Sequence, residues 1–162
     1  FEAVLQKGIV QESVNITLKN AGFNELSLEL HHGISRFDHS MRVAKHTYNI
    51  CYLFHMKYLY ETTRAALLHD FFVNSDLDGN SKTKRLKIHP RVALENSMNS
   101  YVLSDLEKDI IVSHMYPVSD ERPHYKESWI VSIVDKFVGL YDVIISFTML
   151  RTSSLLRFAE EP

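Results

Sequence analysis

Apolar residues recur at three- and four-residue spacing along most of the chain, and no segment shows the strict alternation of a half-buried strand. Val4, Leu5, Ile9, Val14, Ile16 and Leu18 outline an opening helical region. Residues 21–37 read as a looser connection containing Gly22, Gly33 and the pair His31-His32. The pattern predicts a longer helix over 38–58, packed through Met41, Ala44, Tyr48, Cys51 and Leu53, and another over 60–72 through Ala65, Ala66, Leu67 and Leu68. Residues 73–88 are polar and contain Gly79, so they predict a loop, with a helix restarting at Pro90, a residue suited to a first helical turn. Ser104 with Glu107 forms a capping-box pattern ahead of Ile110, Ile111 and Val112. Pro117 and Pro123 bracket a further loop, and a last helix is expected over 126–150. The elements specify an all-α protein: one compact helical bundle, in a single domain over residues 1–162.

Composition narrows the class. At 162 residues the chain can bury a core of its own, and its 45% apolar and 23% charged residues are ordinary for a globular protein. A formal charge of −2 offers no general attraction to nucleic acid or to an anionic membrane, so neither is an expected partner. The lone Cys51 cannot form an internal disulfide, which points to a reducing, cytoplasmic setting. Glu2, Lys7, Gln11 and Glu12 break any apolar signal region near the start. The most membrane-like stretch, residues 129–150, carries Asp135, Lys136 and Asp142, each costing roughly 2.5–3.5 kcal/mol near a bilayer centre, so a buried core helix explains it better. The anomaly is histidine, with nine residues.

Six residues fall within predicted helices or at their edges: His39, His69, Asp70, His89, His114 and Asp135. Apart from the adjacent pair His69-Asp70, successive members are about one helix plus a connection apart, so facing helices can aim all six at one place. Imidazole and carboxylate donors suit Fe, Mn, Zn, Co or Ni, and a shared carboxylate can bridge two ions. Asp135 in an otherwise apolar helix is costly without such partners. His46 shares a helix face with His39 and reads as packed or solvent-facing rather than as support for the site; His31, His32, His55 and His124 have no motif around them.

Over about residues 36–142 the chain resembles the HD superfamily of metal-dependent phosphohydrolases. The resemblance rests on Phe37-Asp38-His39-Ser40-Met41-Arg42-Val43-Ala44, Ala66-Leu67-Leu68-His69-Asp70, His89-Pro90, Ser113-His114 and Val134-Asp135-Lys136. It implies an HD-type helical bundle in which His39, His69, Asp70 and Asp135 hold one ion. The additional His89 and His114 match the two-metal subset, in which Asp70 bridges two divalent transition-metal ions and is central to catalysis. The implied activity is hydrolysis of a phosphomonoester or phosphoanhydride, of a nucleotide or a dinucleoside polyphosphate. The Glu that single-metal nucleotidases of the superfamily place soon after His-Asp is replaced here by Phe71, Phe72, Val73 and Asn74. The alternative within the same fold is a mixed-valence di-iron oxygenase resembling myo-inositol oxygenase, which shares the six-ligand set. A non-enzymatic ligand-binding module ranks last, because all six ligands are present.

Two lookalikes fall away. Residues 74–79 imitate the start of a calcium-binding EF-hand loop, but its twelfth position is Arg85, where a bidentate Glu belongs. Phe71 and Phe72 after His-Asp, together with Gly139-Leu140-Tyr141, do not match the cyclic-di-GMP phosphodiesterases of the superfamily. Residues 82–91 carry Lys82, Lys84, Arg85, Lys87 and Arg91 without an acid among them, a loop expected to draw a phosphate-rich small-molecule substrate. Arg36 and Lys136, beside the motif residues, are further candidates for holding phosphate.

Overall fold

The computed structural model describes residues 2–31 and 34–159. Among them are seven α-helices: α1 Glu2–Leu18, α2 Ala21–Glu25, α3 Arg36–Leu53, α4 Leu59–Leu68, α5 Lys82–Ser100, α6 Asp105–Ser113 and α7 Lys126–Ala159. The fold is all-α and compact, with α4 at its centre. Leu59, Ala65, Ala66, Leu67 and Leu68 of α4 are buried, and the helix packs against α1, α3 and α6. Its two polar core residues are satisfied locally: Thr62 and Thr63 donate to the carbonyls of Tyr58 and Leu59, at 2.5 and 2.7 Å. Helix α7 closes the bundle against α3 and α6, through Val131, Val134 and Val138. The packing expected of Val4 and Leu5 lies outside the described side chains.

The connection at 21–37 is more structured than its sequence predicts. Asn20 caps α2 by accepting from the amides of Gly22 and Phe23, and Phe23 and Leu26 plug the core. A 3-10 turn at Leu26–Leu28 follows, and then two short strands, β1 Leu30–His31 and β2 Ile34–Ser35, pair antiparallel with Leu30 opposite Ser35. Pairs this short leave no alternation to read. The strand ends at Ser35, which caps α3, so the helix starts at Arg36 rather than at 38. It stops at Leu53 rather than 58, just before His55 takes a left-handed conformation at φ 51°.

The loop expected over 73–88 is corrected most. A 3-10 turn occupies Asn74–Leu77, and α5 begins at Lys82, capped by Ser81. Pro90 therefore sits inside the helix instead of opening it. Its missing amide forfeits only the bond to the Leu86 carbonyl, while the cap and good helix formers at 82–87 carry the preceding two turns. The cations of this segment stand on a helix, not on a loop. Helix α7 runs to Ala159, past the expected end at 150. Among the described residues, no helix is long and apolar enough to cross a membrane.

Candidate metal centre

Helix ends do most of the positioning. His39 lies in the first turn of α3, His69 and His114 are the C-terminal caps of α4 and α6, and Asp70 follows directly. His89 comes from mid-α5 and Asp135 from α7. All six side chains are buried. At the two caps the same device recurs: the imidazole Nδ1 of His69 donates to the Ala66 carbonyl (2.8 Å), and that of His114 to the Ile111 carbonyl (2.7 Å). Each ring thereby satisfies a helix-end carbonyl that has no amide to receive. His89 Nδ1 is placed the same way against the Arg85 carbonyl, at 3.1 Å. With Nδ1 occupied, each ring turns Nε2 toward the centre, the arrangement in which histidine ligates metals.

The inward atoms crowd together. Asp135 Oδ1 lies 3.0 Å from His39 Nε2 and 3.3 Å from His69 Nε2. On the other side, Asp70 Oδ1 lies 3.4 Å from His89 Nε2 and 3.6 Å from His114 Nε2, while its Oδ2 is 3.8 Å from His69 Nε2. Asp70 thus stands between two groups of ligands. His39, His69 and Asp135 form one set with the spacing to hold a metal ion, and His69, Asp70 and His114 form another.

Charge and burial pull these groups apart. Burial alone pushes His69 down, but the charge of Asp70 and the carboxylate of Asp135 outweigh it and raise its pKa to about 9. His39 is likewise raised: burial and the neighbouring His69 push it down, but the hydrogen bond to Asp135 and the charges of Asp70 and Asp135 together outweigh them. Burial, then the neighbouring His69 and His89, drive His114 down to about 3. Asp135 is held well below the usual carboxylate range by His39 and His69, against the effect of burial.

Comparison with known proteins yields no match. That is true of family models, curated proteins and solved structures alike. The chemistry of the donor set therefore decides what the site can hold. His69 Nε2 is buried without a hydrogen bond of good geometry, although Asp135 is near. His89 Nε2 and His114 Nε2 face each other at 3.1 Å, while both Nδ1 atoms serve carbonyls. Two such nitrogens present lone pair to lone pair unless a proton or a cation lies between them. The buried His and Asp groups fit metal ions.

One residue that the motif analysis left unassigned belongs to the centre. Asp142 is fully buried, and its Oδ2 accepts from His39 Nδ1 at 2.8 Å. Its Oδ1 pairs with the Arg42 guanidinium at 2.9 Å. The signal was present in the sequence: Asp135 and Asp142 are two turns apart on one face of α7, and His39 and Arg42 one turn apart on α3.

The residues expected to hold phosphate are placed differently. Arg36 is buried beneath the site, donating to the Phe72 carbonyl (2.9 Å) and Asn74 Oδ1 (3.2 Å), with its guanidinium over the Phe72 ring. Lys136 lines the cavity that opens onto the centre, but its ammonium donates to the His114 carbonyl, the Ser132 carbonyl and Ser132 Oγ. Burial lowers its pKa. Lys82, Lys84 and Lys87 are exposed on α5, Arg85 donates to the Asn80 carbonyl, and Arg91 pairs with Glu121. None of these five lines that cavity. His46 and His55 are exposed; His124 is pinned at the surface by Asp109, through both its amide and its ring. The side chains of His31 and His32 lie outside the described residues.

Proposed function

We propose that this protein is a metal-dependent phosphohydrolase with a dinuclear centre, acting on a phosphate ester or anhydride. The observation that carries the reading is the convergence of four buried imidazoles on two carboxylates, with Asp70 between the two groups. In this reading His39, His69, Asp70 and Asp135 hold one ion, and His89, His114 and Asp70 hold the second. Two divalent transition-metal ions there would supply a water acidified toward neutral pH and positive charge against phosphoryl oxygens. The protein's own residues keep that chemistry in place. The carbonyls of Ala66, Ile111 and Arg85 fix the rings, and Asp142 fixes His39. Phe72 packs on His89 at 5.2 Å between ring centres and shields that side from bulk water.

The deciding experiment is metal analysis of protein purified without oxygen, followed by a phosphate-release screen over esters and anhydrides. The expected result is two ions per chain and metal-dependent phosphate release. Asp70→Asn keeps the shape but removes the shared charge, so it should lose metal and turnover together. One ion or none per chain, or near-normal turnover in that variant, would sink the dinuclear reading.

A further inference from the structure

Above the metal-ligating residues lies an open cavity of about 270 Å³. Beyond His39, Asp70, His89, His114 and Asp135, its wall consists of Leu86, Met115, Gly139, Leu140, Val143 and Lys136. Among the described residues, the polar chemistry of this space is thus confined to the floor, and the rest is aliphatic apart from one ammonium. That ammonium has three protein acceptors within 3.1 Å, which use the three protons it can donate. Among the described residues, no other cation reaches the cavity; the lysines of α5 and Arg36 stand outside it. The volume sits near the lower limit for small-molecule sites, and mostly apolar walls with a few convergent polar groups are the usual pattern there.

We infer that the substrate is a phosphomonoester whose organic part is small and apolar, an alkyl or aryl phosphate rather than a nucleoside polyphosphate. This rests on the phosphohydrolase reading above and refines it. A single phosphoryl group has its partners on the floor, and the carbon skeleton beyond it meets Leu86, Leu140, Met115 and Val143. A second or third phosphate has no partner among the described wall residues, and its charge is left beside aliphatic surface. Leu86 and Leu140 are 39% and 58% exposed, so both are available at the rim without first being unpacked from the core.

The test compares methyl phosphate, hexyl phosphate, phenyl phosphate and a nucleoside triphosphate on protein reconstituted with the metal it carries when purified. Calorimetric binding of hexylphosphonate and methylphosphonate is measured alongside, so the outcome does not depend on turnover alone. Hexyl and phenyl phosphate should exceed both methyl phosphate and the triphosphate in kcat/KM by at least tenfold, and hexylphosphonate should bind correspondingly tighter than methylphosphonate. Leu86→Asn and Leu140→Asn should each raise KM for hexyl phosphate several-fold more than KM for methyl phosphate. Equal handling of all four substrates, or preference for the triphosphate, overturns this inference and leaves the phosphohydrolase reading intact. If the metal-loaded protein neither hydrolyses any ester nor binds either phosphonate, both readings fail together.

Discussion

Asp142 shows how much of a candidate metal site lies behind the residues that could ligate the ion. Its carboxylate receives the Nδ1 proton of His39 and faces Arg42, so one buried acid orients a ligand and neutralises a neighbouring guanidinium. Removing such an outer partner typically costs 10–100-fold in metal affinity. Asp142→Ala should therefore weaken metal binding by about that factor, whereas Asp142→Asn, still able to accept from His39, should retain most of it; competition with a chromogenic chelator measures both. Equal losses in the two variants would mean that charge, not orientation, is what Asp142 supplies. At this scale the six inward residues were legible because buried His and Asp need partners and the sequence repeats them at helix-sized intervals. Phosphate-holding roles for Arg36 and Lys136 were suggested by sequence proximity alone. Proximity cannot tell that carbonyls and side chains of the same protein already occupy both cations.

Two helices of similar design carry half of the centre. Helices α4 and α6 each end in a histidine turned back onto its own last turn. They are tied where Arg64, midway along α4, donates through Nε and Nη2 to Glu107 in the first turn of α6, at 2.6 and 2.8 Å. Glu107 is buried and also accepts from the Ser104 amide and hydroxyl, which makes it both a capping-box residue and a brace. Glu107→Ala leaves the partly buried Arg64 with only the Val102 carbonyl and removes the reciprocal half of the α6 capping box, while Ser104 still caps the helix. The expected loss is about 3 kcal/mol in urea unfolding, as for other broken buried pairs; a loss under about 1 kcal/mol would place the register of α4 and α6 in apolar packing alone. The capping box was readable in sequence because its two residues are three apart. The start of α5 was not: Pro90 is a strong local signal for a helix start, and it was overridden by the cap at Ser81 and by burial of Pro90 and His89. The 21–37 region hid its structure for a related reason, since two-residue strands and a five-residue helix are held by caps and plugs rather than by periodicity.

For the whole molecule, the centre links stability to protons and, under the proposed function, to metal. His69 titrates near 9 when folded, against about 6.5 unfolded, so its contribution is complete below pH 6.5 and disappears as pH rises through 9. His114 has the opposite sign: folded near 3, it refuses a proton that the unfolded chain accepts, so stability falls as pH drops from 6.5 toward 3. The depressed Asp135 carboxyl adds to that acid limb below its ordinary value of 3.8. Metal-free protein should accordingly be most resistant to heat near pH 6.5 and lose resistance on both sides. A metal ligated by His69, as proposed, must displace its proton, so metal binding at pH 7.5 should acidify a weakly buffered solution. Free metal at a hundred times its Kd should add about 2.7 kcal/mol of stability. A flat pH profile, or metal uptake without proton release, would contradict the assigned protonation. The all-α class was legible at this scale because amphipathic spacing runs through nearly the whole chain; which helix lies at the centre was not, since burial on every side of α4 comes from its neighbours. The contact between His39 and Asp135 joins residues 96 apart in sequence. A chain emerging from a ribosome at roughly 5–20 residues per second therefore exposes its first histidines for many seconds before the last ligand arrives. A metal ion encountered in that interval would meet only a partial site, so under the proposed function it is the finished bundle that would select the ion.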